Sequence, residues 1–179
     1  MNRDQLKIRK ALLNDLEQLY IFEQNIIQAE RSFDPTLKKE HTHYYDLKEM
    51  ITTPNVELVV AELNDTIIGS GYARIETSRP YLEHARYAYL GFMYVLPEHR
   101  GKGINGRIIE ALKTWASLQN VRELRLEVYN NNVMAIKAYE KIGFSKHMLE
   151  MRLNIESAGD ARDETGEVKR ERPTPASDV

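Results

Sequence analysis

The sequence predicts one α/β (α+β) domain built on a mixed central sheet, and three observations predict it. The chain has 179 residues, which is enough for one domain with a substantial core but too few for two domains of typical size. Segments with the alternation of strands are interspersed with segments of helical periodicity. Residues 87–95 form an apolar run of β-forming residues, typical of a central strand covered on both faces. The predicted order is strand, helices, three strands, helix, strand, helix, strand.

The first third of the chain predicts an edge strand and two helices. Residues 6–11 alternate apolar and basic side chains, as in a half-buried strand. From Asn14, a suitable N-cap, apolar side chains recur at helical spacing as far as Ile27, with Glu23 as a polar interruption. A short second helix is predicted over residues 45–51, within a segment that is otherwise polar and aromatic.

The middle of the chain predicts a hairpin followed by the central strand. Residues 56–63 and 66–75 are typical of two strands, and the Asn64–Asp65 dipeptide between them is typical of a tight turn. A polar loop then leads into the apolar run 87–95.

The second half predicts two more helices and two more strands. Apolar spacing over residues 104–115 predicts a helix of about four turns. Residues 124–129 alternate and predict the fifth strand. Asn132 and Gly143 bracket a helix as N-cap and C-terminal glycine, and residues 149–153 alternate again as a last strand.

Composition excludes several classes of function. The chain has no cysteine, which excludes disulfides, thiolate catalysis and cysteine-bound metals. No apolar run approaches the ~20 residues of a membrane span, and the N-terminus lacks the apolar stretch of a signal peptide, so we expect a cytoplasmic protein without a membrane partner. A net charge of -2 argues against a dedicated nucleic-acid binder.

The charge is uneven along the chain. Residues 156–179 contain seven acidic and four basic residues and no aromatic residue. Such a segment cannot bury enough apolar surface to offset its ordering entropy. We therefore expect a folded domain over residues 1–155 and a disordered charged tail over residues 156–179.

The segment PEHRGKGING, residues 97–106, places three glycines and two basic residues between the central strand and the following helix. A helix start carries unpaired N–H groups and a dipole that favours anions. Glycine lets a ligand approach these amides, so the segment predicts a cradle for a phosphate or pyrophosphate. It lacks the hydroxyl of a nucleotide P-loop, and no acidic residue follows at the distance that the dinucleotide-binding pattern requires. A mere tight turn explains the glycines only in part.

Two motifs carry a family resemblance. Residues 95–104, V-x-P-E-x-R-G-K-G-I, resemble the acetyl-CoA-binding motif of the GNAT superfamily of N-acetyltransferases, R/Q-x-x-G-x-G/A. A second match, N-x-x-A-x-x-x-Y-x-x-x-G-F, begins at Asn132 and ends at Phe144. With the element order, the resemblance covers roughly residues 4–153. It implies a GNAT-like, mostly antiparallel sheet flanked by helices and splayed between strands four and five.

The resemblance implies acetyl-CoA as co-substrate. The pantetheine arm would enter the splay and pair with the backbone of Met93 and Val95, and backbone N–H groups of the loop would hold the pyrophosphate. The second motif adds three cofactor-binding candidates. The motif departs from the family at Asn105, where glycine or alanine is usual. The cofactor-binding residues implied are Met93, Val95, Arg100, Gly101, Lys102, Gly103, Ile104, Asn105, Asn132, Ala135 and Tyr139.

The resemblance also implies catalytic residues. Tyr139 matches the tyrosine that stabilises the leaving thiolate, a role for which a phenol that stays protonated at neutral pH is suited. The glutamate that many members carry on strand four is replaced here by Gly91. Glu127 is the nearest candidate for the general base, with Glu83, His84 or a water relay as alternatives.

The acceptor pocket of the family forms from the first two helices and the loop between strands three and four. Acidic and aromatic side chains in those regions suit an amine. The substrate-binding candidates are Glu30, Phe33, Tyr81 and Glu83, beside Asp34, Tyr44, Tyr45, His84 and Tyr87. The pair His41 and His43 could suggest a metal, but without a carboxylate at ligand spacing we expect none.

The leading interpretation is an enzyme that transfers an acetyl group from acetyl-CoA to a primary amine of a small molecule or peptide by direct attack. The alternative is an acyl-CoA-binding sensor or interaction module with little turnover. The two departures from the family pattern, Gly91 and Asn105, support this alternative. The acceptor, the acyl-chain preference and the oligomeric state, including a homodimer, are not determined by the sequence.

Overall fold

The computed structural model describes residues 6–155, and the predicted tail 156–179 lies outside the described residues. The described part carries five strands and four α-helices. In chain order these are β1 (Leu6–Lys10), α1 (Leu16–Glu30), α2 (Leu47–Thr52), β2 (Val56–Leu63), β3 (Thr66–Thr77), β4 (Arg86–Val95), α3 (Ile104–Leu118), β5 (Leu124–Arg125) and α4 (Val133–Ile142). No helix within residues 6–155 combines the length and apolarity that a membrane span needs.

The strands form one sheet in the order β1-β2-β3-β4-β5. The first three pairings are antiparallel and the pairing of β4 with β5 is parallel. This mixed, mostly antiparallel sheet confirms the predicted fold class. The β4–β5 ladder contains only the pairs Ala88–Leu124 and Tyr89–Arg125. Beyond Tyr89 the two strands no longer pair, in agreement with the expected splay.

A bulge in β4 lies at the start of this splay. Tyr72 pairs with Gly91 and Ser70 with Tyr94, so two residues of β4 stand opposite one residue of β3. Phe92 has φ +55°, and the buried hydroxyl of Ser70 donates to its carbonyl oxygen at 3.1 Å. Because a bulge bends its strand and increases the local twist, it accounts for the divergence of β4 from β5.

Helices cover both faces of the sheet. On one face, α1 and α2 pack through Leu19, Phe22 and Leu47 against buried side chains of β2, β3 and β4. On the other face, α3 packs through Ile108 and Leu112. Burial on both faces explains the nearly continuous apolar run of β4.

Local signals set most of the boundaries. Asn64 and Asp65 both have positive φ, as a two-residue hairpin turn requires, and β2 and β3 begin at the predicted residues. The carboxylate of Asp46 accepts the N–H of Glu49 at 2.9 Å, so α2 begins at Leu47 rather than at residue 45.

Two predictions at the C-terminal end differ from the structure. β5 is two residues long instead of six, because β4 bends away after Tyr89. The predicted strand 149–153 is wrong: residues 146–155, described by themselves, contain no strand and their side chains are exposed. An alternating pattern forms a strand only where a partner strand accepts its hydrogen bonds, and no ladder of the described residues includes this segment.

Candidate active site

The glycine loop between β4 and α3 is open. Gly101 and Gly103 have φ +73° and +77°, a region that glycine enters without strain, and Gly103 is the N-cap of α3. A Cβ at Gly101, Gly103 or Gly106 would meet no heavy atom within 4 Å. The glycines therefore leave free space above the helix start, as a bound anion requires.

The amides facing this space lack partners in the helix. The first bond of α3 runs from Arg107 N–H to the carbonyl of Gly103 at 3.2 Å. The N–H groups of residues 104–106 precede that bond and have no acceptor within the helix. The first turn carries no acidic side chain. The positive end of the helix dipole is thus uncompensated within the helix, and Lys102 adds an exposed positive charge.

The end of β4 lies beside the loop. Leu96 N–H bonds the carbonyl of Ile68 on the β3 side at 2.9 Å. Because successive residues of a strand point their backbone groups to opposite sides, the N–H and C=O groups of Val95 and Met93 point to the side of the splay. The Nε of Arg100 donates to the carbonyl of Val95 at 3.0 Å, so this arginine joins the loop to the strand end.

An aromatic cavity lies on the face of the sheet that α1 and α2 cover. Its volume is about 740 Å³ and it opens to solvent. Its floor is formed by Tyr72 of β3 and by two cross-strand pairs, Arg74 with Tyr89 and Glu76 with Tyr87. The lining residues are His43, Tyr44, Tyr45, Tyr72, Arg74, Glu76, Tyr87, Tyr89 and Glu127.

Tyr72 explains the glycine at position 91. A Cβ at Gly91 would lie 2.6 Å from Tyr72 Oη and 2.7 Å from two of its ring carbons. Tyr72 is 2% exposed, and burial raises the pKa of its phenol. A buried tyrosine ring from β3 therefore occupies the space into which a side chain at position 91 would project.

Glu127 lies on the cavity wall at the edge of the splay. The hydroxyl of Tyr89 donates to its carboxylate at 3.2 Å. Burial, and next the charge of Glu127, raise the pKa of Tyr89. Across the floor, Arg74 forms an ion pair with Glu76 and lies 5.9 Å from the ring centroids of Tyr72 and Tyr89. The cavity thus combines aromatic walls with two carboxylates and one guanidinium.

Tyr139 lies on α4, half-buried, with its ring edge against Phe144. Burial, and to a smaller extent the charge of Glu30, raise the pKa of Tyr139 to about 12. Burial also raises the pKa of Glu30, against the opposing effect of Tyr44. The end of α1 and α4 are therefore close enough for these groups to interact electrostatically.

The structure brings some of the predicted acceptor residues together and leaves others apart. Phe33 stacks on Tyr129 with ring centroids 5.7 Å apart, so the loop after α1 reaches the segment after β5. Tyr81 is 74% exposed and its hydroxyl accepts from Arg79, and Glu83 is also exposed. Neither of these two lines the cavity.

Asn132 has a structural role beside its predicted one. Its side-chain oxygen accepts the N–H of Ala135 at 3.2 Å and thereby caps α4. Four further residues of the cavity are not predicted from the sequence: Tyr72, Arg74 and Glu76 of β3 and Tyr89 of β4. Alternation along the two strands was the available signal, because residues two apart share a face of the sheet.

Comparison with known proteins identifies the family. The model of the acetyltransferase (GNAT) family matches residues 22–144, more than half of the chain. The N-alpha-acetyltransferase of Saccharolobus solfataricus is 29% identical over 144 residues, which cover 78% of this chain and 80% of that protein.

Solved structures share the fold. A tetramutant of the BH1408 protein of Bacillus halodurans has a TM-score of 0.76 at 17% identity, over 83% of this chain and 99% of that one. A predicted acetyltransferase from Clostridium acetobutylicum, solved with acetyl-CoA, has a TM-score of 0.66 at 20% identity, over 86% of this chain and 98% of that one. The two motifs, the sheet and the family match agree, and the chain belongs to the GNAT superfamily of N-acetyltransferases.

Proposed function

We propose that this chain transfers an acetyl group from acetyl-CoA to a primary amine of a small molecule or peptide by direct attack. One observation carries the proposal: the open glycine loop and the part of β4 beyond Tyr89, which pairs with no second neighbour strand among residues 6–155, adjoin the splay. Tyr89 and Glu127 of the cavity wall lie at the same splay. Acetyl-CoA and the acceptor amine can therefore approach the gap between β4 and β5 from two sides.

The donor side fits acetyl-CoA by its chemistry. The backbone N–H of Arg100 donates to the carbonyl of Pro97 at 3.2 Å, so the amides of residues 101–105 are the ones proposed to bind the pyrophosphate, and the guanidinium of Arg100 adds positive charge. The outward backbone groups of Met93 and Val95 offer strand-like pairing to the amides of a pantetheine arm. Ala135 and Asn132, at the start of α4, complete the proposed set. Acetyl-CoA supplies an acetyl group activated as a thioester.

The acceptor side suits an ammonium that must lose a proton. At a lysine-like pKa of about 10.4, deprotonation at pH 7 costs about 4.6 kcal/mol. The carboxylate of Glu127 attracts the cation, and its role as general base stays a prediction. Glu30 and Phe33 are proposed to shape the deeper end of the acceptor site beside Tyr44, and Tyr81 and Glu83 its outer rim.

Tyr139 is proposed to stabilise the leaving thiolate by a hydrogen bond. With a pKa of about 12 its hydroxyl stays protonated at neutral pH. Full proton transfer to a thiolate of ordinary pKa of about 8.5 would be uphill by about 5 kcal/mol. Tyr139 therefore acts as a hydrogen-bond donor and not as the source of the proton.

An acceptor panel tests the proposal. Release of free thiol from acetyl-CoA is measured with a peptide that has a free α-amino group, with Nα-acetyl-lysine amide and with kanamycin. The peptide is included because the archaeal relative is named an N-alpha-acetyltransferase. We expect at least one amine to stimulate release.

The second candidate function is an acyl-CoA-binding module with little turnover. The replacement of the usual strand-four glutamate by Gly91, with Tyr72 filling its space, favours it. Calorimetric titration with acetyl-CoA separates the two: tight binding without amine-stimulated thiol release supports the module, and absence of binding argues against both.

A further inference from the structure

A buried carboxylate organises one wall of the cavity. Glu23 lies in the apolar face of α1 and is 0% exposed. Its Oε1 accepts the backbone N–H groups of Tyr44 and Tyr45 at 2.7 and 2.9 Å, and its Oε2 lies 2.6 Å from Nδ1 of His43. The polar interruption in the helical pattern is therefore the anchor of the segment 43–45.

This arrangement favours one tautomer of His43. Hydrogen bonds from two backbone N–H groups favour the ionised carboxylate of Glu23, which only accepts hydrogen bonds, so we infer that Nδ1 of His43 carries the proton that faces Glu23. In the neutral ring, Nε2 then carries the lone pair. The His43 side chain is 49% exposed and lines the cavity, whereas Glu23 is sealed behind it.

We propose that His43 is the general base that takes the proton from the acceptor ammonium, and that Glu23 is its positioning residue. The proposal rests on the proposed function, since it assigns a role in that reaction. The proton passes from the ammonium to Nε2 of His43, giving imidazolium and a free amine. The amine lone pair then attacks the thioester carbonyl, and the C–S bond breaks to release the CoA thiolate. The second N–H proton of the adduct neutralises this thiolate as CoA thiol, and the imidazolium, stabilised by the Glu23 carboxylate, returns the first proton to water.

The chemistry favours His43 over Glu127 for this step. An imidazole is ordinarily about two pK units more basic than a carboxylate, a factor of about 100 in the proton-transfer equilibrium. Glu127, which also lines the cavity, keeps the role of attracting the cation, and the general-base role predicted for it from the sequence passes to His43.

Other groups surround His43. Nε2 of His41, an exposed residue, lies 3.2 Å from Nε2 of His43, and the proposal requires an incoming amine to displace it. The edge of the Tyr20 ring packs against the His43 ring. The titratable and charged groups facing His43 are Glu23 and Tyr20 of α1, His41 of its own loop, and the cavity residues Tyr44, Tyr45, Tyr72, Arg74, Glu76, Tyr87, Tyr89 and Glu127.

The first test determines the tautomer of His43 by NMR and needs no acceptor amine. Two-bond ¹⁵N–¹H spectra of the full chain, with signals assigned by their loss in His43→Gln, should show His43 protonated at Nδ1. Glu23→Gln can still accept the two backbone N–H groups, but its amide donates to Nδ1 and should move the ring proton to Nε2. An Nε2-protonated His43 in the wild type would overturn the positioning role.

The second test uses the panel amine that the wild type acetylates. His43→Gln and Glu23→Gln should lower kcat/KM for that amine about 100-fold at pH 7 and leave the KM for acetyl-CoA unchanged. The rising limb of the pH profile of kcat/KM should vanish in His43→Gln. Added imidazole should restore part of the activity of His43→Ala, which a purely structural role would not allow.

His147→Gln is the matched control and should stay within about twofold of the wild type, because His147 is exposed and is not among the residues that line the cavity. Wild-type kcat/KM and pH profile in His43→Gln would overturn the base role, as would loss of the rising limb in Glu127→Gln alone. If no panel amine stimulates the wild type, the proposed function fails and the base role falls with it, whereas the tautomer spectra still decide the role of Glu23.

Discussion

Replacement of Gly91 by alanine should destabilise the fold, because the ring of Tyr72 already occupies the space above it. The new Cβ would lie 2.6–2.7 Å from three atoms of that ring. Carbon atoms pack at about 3.5–4.0 Å, so the overlap is about 1 Å. The ring cannot swing away freely, since Tyr72 is 2% exposed and contacts the rings of Tyr45 and Tyr89.

The expected loss follows from two opposing effects. Overpacking of a core costs about 1–3 kcal/mol. Replacing glycine reduces the freedom of the unfolded chain and returns about 0.4–1 kcal/mol. The free energy of unfolding of Gly91→Ala should therefore fall by about 1–2 kcal/mol, which corresponds to a Tm lower by roughly 2–8 °C. In urea unfolding, this loss of free energy should appear as a lower midpoint concentration at an unchanged m-value.

Gly106→Ala is the matched control. A Cβ there would meet nothing within 4 Å, and the site lies in α3, where alanine is favoured by up to about 1 kcal/mol. Its unfolding midpoint should stay equal or rise. In a Tyr72→Leu background the cost of Gly91→Ala should shrink. Equal midpoints for the wild type and Gly91→Ala, or an undiminished cost in that background, would refute the placement of the Tyr72 ring.

Three further substitutions test the proposed roles. Gly103→Val should weaken acetyl-CoA binding at least about tenfold in calorimetric titration, because valine is strained at φ +77° and fills the cradle; equal affinity would exclude the loop as the pyrophosphate site. Tyr139→Phe should lower kcat about 100-fold with acetyl-CoA affinity within about twofold, and an unchanged kcat would remove Tyr139 from the mechanism. Glu127→Gln should raise the KM for the amine roughly tenfold and leave the rising pH limb in place; a mainly lowered kcat with the limb lost would make Glu127 the base.

The sequence predicts the backbone of this protein well where the signal is local. The Asn64–Asp65 turn, the N-cap at Asn132 and the glycines of the loop each demand a conformation that few other residues adopt. These signals predict the positions of the hairpin, α4 and the glycine loop. The motifs in the last two also predict the family.

The cavity was harder to predict because its walls meet through tertiary contacts. In the sequence, Glu23 is only a polar residue that interrupts the apolar face of a helix. The structure shows that its carboxylate binds the segment 43–45. In the sequence, Gly91 is only a glycine at the position where many family members carry a glutamate. The structure shows that the ring of Tyr72 occupies the space above it. Neither relation has a signature in the spacing of residues along the chain, since the partners come from different strands and helices.

The short β5 has the same kind of cause. Residues 124–129 alternate as a strand does, but the bulge at Phe92 turns β4 away after two pairs. A bulge is set by the pairing of two strands, here with the Ser70 hydroxyl on the Phe92 carbonyl, and periodicity alone does not reveal it.

Amine-dependent release of thiol from acetyl-CoA by the wild-type chain, followed together with mass spectrometry of the amine, tests acetyl transfer most directly. We expect release to rise with the concentration of at least one panel amine and to equal the amount of acetylated product. Tight binding of acetyl-CoA with release that stays at the amine-free level for every amine would refute acetyl transfer as the function of this site.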